Sequence, residues 1–426
     1  MRIDCVGGGP AGFYFALLAK LRDPGHSVTV FERCQADSTY GLGVTLGQGI
    51  LESLRGNDAE SAQEIERAGL RWRQQEVFFR GQRAVHVGDD VYNISRQRLV
   101  DILAARASSV GVDIKYGREV LSPRELSEAD LIVAADGANS QIRRATGKFQ
   151  TGIREGRNKY IWLATTKTFD CFTYPFAQTD AGWVWAYAYR FGPELSTFIV
   201  ECSAEAFDGL GFATKSTDES IAALERIFAA HLAGHRLIGK FPDGTSARWQ
   251  SFRTITNRRW HEDNVVLIGD SAHTAHFSIG GGTTLAFEDA IVLASALGPG
   301  HGSLDQALTD YERQRRADLV RPLTEARCSA EWLENLPRYA RLEPRQFMAL
   351  LQLRRSPLLP MMPPRLSYLL HRATAQSVVL DGIRTRLGPV AKVFYGRWTA
   401  PRRDSDARTA DGGPRSEALG AGRRTG

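Results

Sequence analysis

The sequence has few cysteines and no pattern among them. Five in 426 residues stand at positions 5, 34, 171, 202 and 328, with no Cys-x-x-Cys pair. An odd, dispersed set argues against a disulfide frame or a metal site and for reduced thiols in the cytoplasm. Long apolar runs are also missing. None reaches the ~18 residues that a membrane span needs, so no membrane association is expected. No secretory leader is expected either, because an apolar strand begins at Ile3. Charge of one sign is scarce: the net is +6. Residues 397–426 hold seven Arg against four acids, about half of that excess. This segment is nearly free of large apolar residues, so 398–426 reads as a disordered, solvated tail rather than a nucleic-acid-binding arm. The remaining mild excess suits an anionic substrate. Monomer and homodimer both stay open.

What the sequence does have is glycine in two telling places. Residues 265–268 are four apolar residues that read as a buried strand, followed by Gly269-Asp270. Asp270 then falls at a strand's end, where open α/β sheets bind ligands. Gly280, Gly281 and Gly282 lead into a run that reads as a helix to Leu297, with Thr283 or Thr284 as its N-cap. A glycine turn feeding a helix offers free N–H groups and a positive dipole end. Taken alone, it is also compatible with an ordinary strand-turn-helix.

The N-terminus decides more. Ile3, Cys5 and Val6 form a strand, and Gly7, Gly9 and Gly12 give the spacing G-x-G-x-x-G before an apolar helix over 13–21. The first glycine permits the tight turn, the second lets backbone approach a pyrophosphate, and the third packs helix on strand. A second strand ends in Glu32, 20 residues after Gly12, where a ribose hydroxyl needs an acceptor. Together these predict dinucleotide binding.

The chain then follows in pieces. Residues 39–49 are a glycine-rich loop, either a backbone bed for a flat ring or a plain connector. A helix is predicted near 48–69, short antiparallel strands over 76–92, and a helix over 95–107 with Arg96 and Arg98 in its first turn. An Arg at a helix N-terminus opposes the dipole, which hints at a phosphate. Another buried strand over 130–135 ends at Asp136-Gly137. The nucleotide domain is thus predicted from 1–72, 94–148 and 257–300, and a β-rich substrate domain from 73–93 and 149–256. Within the latter, aromatics alternate at 183, 185, 187 and 189. They face either a ligand or the sheet's own core. Residues 301–397 read as a C-terminal helical region.

These blocks together resemble the single-component FAD-dependent aromatic hydroxylases, the fold of p-hydroxybenzoate hydroxylase. The resemblance covers about 1–395. It implies an α/β architecture: a Rossmann-like FAD-binding domain of glutathione-reductase type, interleaved with a β-sheet substrate domain and followed by helices. It places Gly7, Gly9, Pro10, Ala11, Gly12 and Arg96 at the pyrophosphate, Glu32 at the adenosine ribose and Asp270 at the ribityl chain. The backbone of Gly280, Gly281, Gly282, Thr283 and Thr284 would face the isoalloxazine. Arg33, Gly43, Val44 and Asp136 complete the expected cofactor set.

The string Ala275-His276-Phe277-Ser278-Ile279-Gly280 narrows the resemblance to the salicylyl-CoA 5-hydroxylase and 2-aminobenzoyl-CoA monooxygenase group. The violacein-pathway tryptophan hydroxylase is similar too. One departure is Leu42, where those relatives usually carry Trp. The implied reaction consumes NADH or NADPH and O2, through a C4a-hydroperoxyflavin, and turns salicylyl-CoA into 2,5-dihydroxybenzoyl-CoA. His276 and Phe277 are the expected catalytic residues. Trp162, Trp185, Tyr187, Tyr189 and Ile279 are the expected substrate residues, and His273 reads as structural. The alternatives are hydroxylation of tryptophan or another indole or aminobenzoyl compound, an oxygen-independent flavin reductase, and a flavin-binding protein without turnover.

Overall fold

The computed structural model describes residues 1–36, 42–241, 244–298, 300 and 302–375. The tail expected beyond 397 lies outside these residues, as does the start of the glycine-rich loop at 39–41.

Two sheets organise the chain. The first has six strands in the order His261–Glu262, Val265–Leu267, Leu131–Ala134, Arg2–Val6, Ser27–Glu32 and Asp113–Tyr116. All its pairings are parallel except that of the short His261–Glu262 edge. Leu131–Ala134 and Val265–Leu267 are buried at every residue, as a parallel sheet covered on both faces requires. From Arg2–Val6 the chain builds outward on one side through Ser27–Glu32 and on the other through Leu131–Ala134. That reversal of strand order is where open α/β sheets bind ligands. The helix Pro10–Arg22 is buried continuously from Pro10 to Ala19. It is packed between neighbours rather than amphipathic.

The second sheet runs Leu237–Ile238, Thr151–Thr165, Ser196–Cys202, Gly182–Arg190, Phe172–Thr179, Leu70–Phe79, Gln82–Ser95 and Gly43–Gly47. Gln250–Asn257 pairs with the outer end of Thr151–Thr165. Alternation splits this sheet cleanly. Trp183, Trp185, Tyr187, Tyr189 and Ile199 face one side, where Trp332, Leu336 and Phe347 of the C-terminal helices cover them. Val184, Ala186, Ala188, Phe198 and Val200 face the other, packed against Ile221 and Leu224 of the Thr217–Ile227 helix.

Three sequence expectations change here. The run over 48–69 is two helices, Gln48–Asn57 and Ala59–Ala68, because the Asp58 carboxylate accepts from Ser61 N at 2.9 Å and starts the second. Gly43–Gly47, expected with the nucleotide segments, pairs with Gln82–Ser95 in the second sheet. The helical stretch after 303 breaks into Leu304–Glu334, Leu336–Tyr339 and Pro344–Gln352. Among the described residues, no helix is long and apolar enough to cross a membrane.

Candidate active site

Three strands of the first sheet end side by side, and each end carries a glycine turn. Gly7 has φ +107°, and a Cβ there would lie 2.4 Å from Ala135 O. A Cβ at Gly12 would lie 2.0 Å from Gly7 O. Strand and helix are therefore in backbone contact. At Gly9 the opposite holds: an added Cβ meets nothing within 4 Å. Gly9 precedes the helix that starts at Pro10, with no side-chain cap and no acid in the first turn. Free N–H groups at an open helix start fit a pyrophosphate, so the cradle suits a dinucleotide. Ala11 is buried behind it.

Glu32 ends the second strand. Its carboxylate accepts from Gly8 N at 2.6 Å and from Cys34 N at 2.8 Å. Arg33 points to solvent, 3.9 Å from Glu119. Asp136 follows the third strand, and one oxygen accepts from Gln141 N and Ile142 N at 2.7 and 3.1 Å. The other oxygen is buried and takes no hydrogen bond from the described residues. Burial raises this carboxyl above the usual range despite those donors. Asp270 is exposed. Crowding by nearby protein nonetheless raises its carboxyl, and the charge of Arg96 pulls it back. Arg96 opens the helix Arg96–Ser109, and its N–H binds Leu42 O at 2.7 Å.

The second glycine turn faces the larger sheet. Gly280 has φ +64°, and its Cβ position lies 4.0 Å from Thr45. The helix that follows is Gly282–Ala296, with Gly281 as N-cap and no side-chain cap. The expectation of Thr283 or Thr284 as N-cap is thus corrected. Both lie in the first turn, and Gly281 leaves the helix end bare. Opposite, Gly43 N donates to Thr197 Oγ1 at 3.1 Å, and Gly43 O accepts from Tyr189 OH at 2.9 Å. A Cβ at Gly43 would lie 2.5 Å from Phe191 Cβ. Val44 is half-buried against the nucleotide core. A cleft of about 1350 Å³ opens between these walls, lined by Thr45, Gly47, Gly280, Gly281, Thr284 and Arg355 among others.

Phe277 joins the turn to the aromatic face. Its ring centroid lies 4.4 Å from His276, 4.7 Å from Tyr160, 5.4 Å from Tyr187 and 6.5 Å from Trp162. Phe277, Trp162 and Ile279 are half-buried. Trp185, Tyr187 and Tyr189 are not: they lie in the packed layer under the C-terminal helices. The structure thus brings Trp162, Tyr187, His276 and Phe277 together and leaves Trp185 and Tyr189 as their backing.

His276 is buried. Its Nδ1 accepts from Ser278 N at 3.3 Å and lies 2.8 Å from Ser278 Oγ. Burial, and then the Arg354 charge, push its imidazole down to about 3. It is neutral at working pH and no proton donor of the imidazolium kind. Folding excludes a proton that the unfolded chain binds, so this residue costs stability as pH falls from about 6.5 towards 3. Histidine NMR should show no His276 titration between pH 5 and 8. A midpoint near 6.5 would contradict the burial argument.

Several residues here carried no readable sequence signal. Arg354 is 5% exposed, and Nη2 donates to Ser278 O at 2.9 Å and Tyr174 OH at 3.3 Å. Its Nε donates to Ser329 Oγ at 3.1 Å, which meets Ser278 Oγ at 2.8 Å. Arg355 Nη2 donates to Ile279 O at 3.1 Å. Two adjacent arginines of the C-terminal region therefore grip two successive carbonyls of the glycine turn. His273 bonds Asp289 at 2.8 Å and stacks on Trp260, a structural place.

A family model described as an FAD binding domain matches residues 2–326. The chain belongs to this FAD-binding family. The salicyloyl-CoA 5-hydroxylase of a Streptomyces species is 37% identical over 350 residues, covering 80% of this chain and 67% of that protein. The 3-hydroxy-4-methyl-anthranilyl-[aryl-carrier protein] 5-monooxygenase of Streptosporangium sibiricum is 37% identical over 338 residues, covering 79% and 90%. Among solved structures, 2-methyl-3-hydroxypyridine-5-carboxylic acid oxygenase matches with TM-score 0.65 at 21% identity, over 79% of this chain and 91% of that one. This last likeness speaks for the fold. The protein is a flavin-dependent aromatic monooxygenase that uses FAD and NAD(P)H, and its substrate is aromatic.

Proposed function

We propose that this monooxygenase hydroxylates an aromatic ring carried as a CoA thioester, with salicylyl-CoA going to 2,5-dihydroxybenzoyl (gentisyl)-CoA. The observation that carries the reading is the half-exposed Phe277–Trp162 face beside a helix end that no side chain caps. The names of both 37% relatives join an aromatic acyl group to a carrier. Bound FAD would supply the redox chemistry, hydride acceptance from NADH or NADPH and transfer of one oxygen atom of O2 to the ring.

This chain's residues do the rest. The open backbone at Gly9 and the free N–H groups of Ala11 and Gly12, at the helix end that Pro10 starts, would meet the pyrophosphate, and Arg96 adds positive charge. Glu32 accepts from the ribose, exchanging its bonds to Gly8 and Cys34. The bare start of Gly282–Ala296 favours negative charge on the ring system, by roughly 0.3–2 kcal/mol. His276 stays neutral and fixes the turn through Ser278, while Phe277 and Trp162 hold the substrate ring and exclude water. The ring hydroxyl of salicylyl-CoA directs attack to the carbon para to it, which is position 5.

Phosphates of CoA need surface cations. Of the basic residues on or just beyond the paired strands Thr151–Thr165 and Gln250–Asn257, Arg157 is held by Glu334, Arg259 by Glu262 and Lys159 by Ser251. Arg154 and Arg258 are exposed and form no ion pair among the described residues. Arg154→Ser and Arg258→Ser should weaken salicylyl-CoA binding about three- to tenfold, by loss of exposed charge contacts of ~1 kcal/mol. Free salicylate should be unaffected, measured by flavin difference spectra. Equal effects on both ligands would refute the CoA assignment. A carrier-protein-bound aryl group is the second reading, favoured by the 90% coverage of the carrier-protein relative. It wins if only the carrier-loaded acid perturbs the flavin.

A further inference from the structure

The hairpin of Leu70–Phe79 and Gln82–Ser95 leaves one edge of the larger sheet open. Gly43–Gly47 covers Gln82–Ser95 only along Val91–Ser95. Over 82–90 the strand has Leu70–Phe79 on one side and, among the described residues, no strand on the other. The two-residue turn Arg80-Gly81 has φ +48° and +73°, the tight hairpin geometry. It makes Phe79 and Gln82 a hydrogen-bonded pair, so alternation turns the backbone bonds of Ala84 and His86 inward. The N–H and C=O groups of Arg83, Val85 and Val87 therefore point out of the sheet's edge. Among the described residues no backbone hydrogen bond from outside the hairpin reaches them.

An open edge of this kind is a template for a further strand. Edges that stay single are blunted by proline, by a bulge or by a covering loop. Residues 82–87 contain no proline, and the ladder shifts register only after Val87. Val85 and Val87 are 47% and 63% exposed. They stand two residues apart, on the face turned away from Ala84 and the packed aromatic layer.

The charge pattern selects the occupant. Arg80 and Arg83 precede Val85, and Asp89 and Asp90 follow Val87. A second copy laid antiparallel, about a two-fold axis within Val85–Val87, sets the basic end of each strand against the acidic end of the other. That is the self-complementarity a two-fold contact requires. A parallel copy would oppose like charges. Arg83 reaches Glu76 within its own chain, and Asp90 is taken by Arg71 and Arg73. Asp89 is exposed and makes no ion pair among the described residues. It is the acid left for an arginine of a second copy.

We propose that this edge joins two copies of the chain into a two-fold dimer, with the larger sheet continuous across both hairpins. Gly88, Asp89, Asp90 and Val91 line the cleft beside the glycine turn. The seam therefore runs along the cleft rim, and each copy brings its Arg80 and Arg83 to the rim of the other. A contact one strand wide is small, so the dimer dissociates on dilution.

The test is sedimentation velocity of the FAD-loaded protein from about 1 μM to about 1 mM. The native protein should pass from monomer to dimer within this range. Val87→Pro removes one outward N–H, leaves the inner ladder intact and should weaken the dimer at least tenfold. Asp89→Arg, and separately the double change Arg80→Glu with Arg83→Glu, should each weaken it as much by opposing like charges. An equal mixture of these two charge variants should dimerise again, a recovery that misfolded chains cannot give. A native protein that is monomeric throughout overturns the dimer. A dimer that the variants leave at full strength, or a mixture that stays monomeric, overturns this edge as its seam.

Discussion

Asp289→Ala is expected to cost about 3–5 kcal/mol of stability, the range for breaking a buried ion pair. Asp289 is fully buried in the Gly282–Ala296 helix. Its carboxylate accepts from Arg315 Nε at 2.7 Å and Gly269 N at 2.8 Å, and lies 2.8 Å from His273 Nε2. Arg315 is 2% exposed, so the substitution strands its charge. Its other carboxylates, Glu288 at 3.2 Å and Asp318 at 3.5 Å, are both solvent-facing and poor substitutes. The Gly269 bond also pins the turn that presents Asp270, so FAD content should fall with stability. Burial raises the Asp289 carboxyl, but His273 and Arg315 outweigh it and hold it below the ordinary range. The stabilisation is therefore complete above about pH 4, the unfolded value. It is lost as pH falls through the lower folded value. Glu288→Gln serves as the control and should cost under about 1 kcal/mol. Urea denaturation of both variants at pH 7 and pH 4 checks this. A loss below 1 kcal/mol in Asp289→Ala would refute the network.

Gly12→Ala should remove FAD from the purified protein. The new methyl carbon would lie 2.0 Å from Gly7 O, which is backbone and cannot swing aside. Gly7 has no room to retreat, because its own Cβ position is 2.4 Å from Ala135 O. Its N–H is also bound to Phe31 O at 2.8 Å. The helix must lift from the strand, at a cost of about 1–3 kcal/mol or more for such overpacking. Gly9→Ala is the informative partner. An added carbon there touches no protein atom within 4 Å, so the fold should keep its melting temperature while FAD affinity drops. Flavin absorbance per protein and thermal unfolding measure both. A flavin-loaded Gly12→Ala protein would overturn the close-packing argument, and undiminished FAD affinity in Gly9→Ala would remove the pyrophosphate from that helix end.

The parts that sequence reveals are those governed by local rules. Gly7 and Gly12 announce themselves by spacing, because the turn and the helix contact they permit lie within a dozen residues. Four apolar residues before Gly269 read as a strand for the same reason. Errors also have local causes. Asp58 is a capping residue inside a run of helical character, and it divides that run into two helices. Thr283 has the chemistry of a cap, but Gly281 occupies the position.

What stayed hidden depends on register between distant segments. Arg354 meets Ser278 across 76 positions, and Tyr189 meets Gly43 across 146. Nothing in either pair advertises its partner. The alternation at 183–189 fixed that four rings share a face, yet not what covers them. Trp332 and Phe347 supply that cover, and it turns Trp185 from a candidate pocket residue into packing.

The most direct measurement is oxidation of NADH and NADPH in air by the FAD-loaded protein, with mass analysis of products. Salicylyl-CoA, 2-aminobenzoyl-CoA, free salicylate and tryptophan are compared in parallel. Salicylyl-CoA should accelerate oxidation and gain one oxygen atom para to its hydroxyl. Acceleration and oxygen gain with tryptophan or free salicylate alone would contradict it.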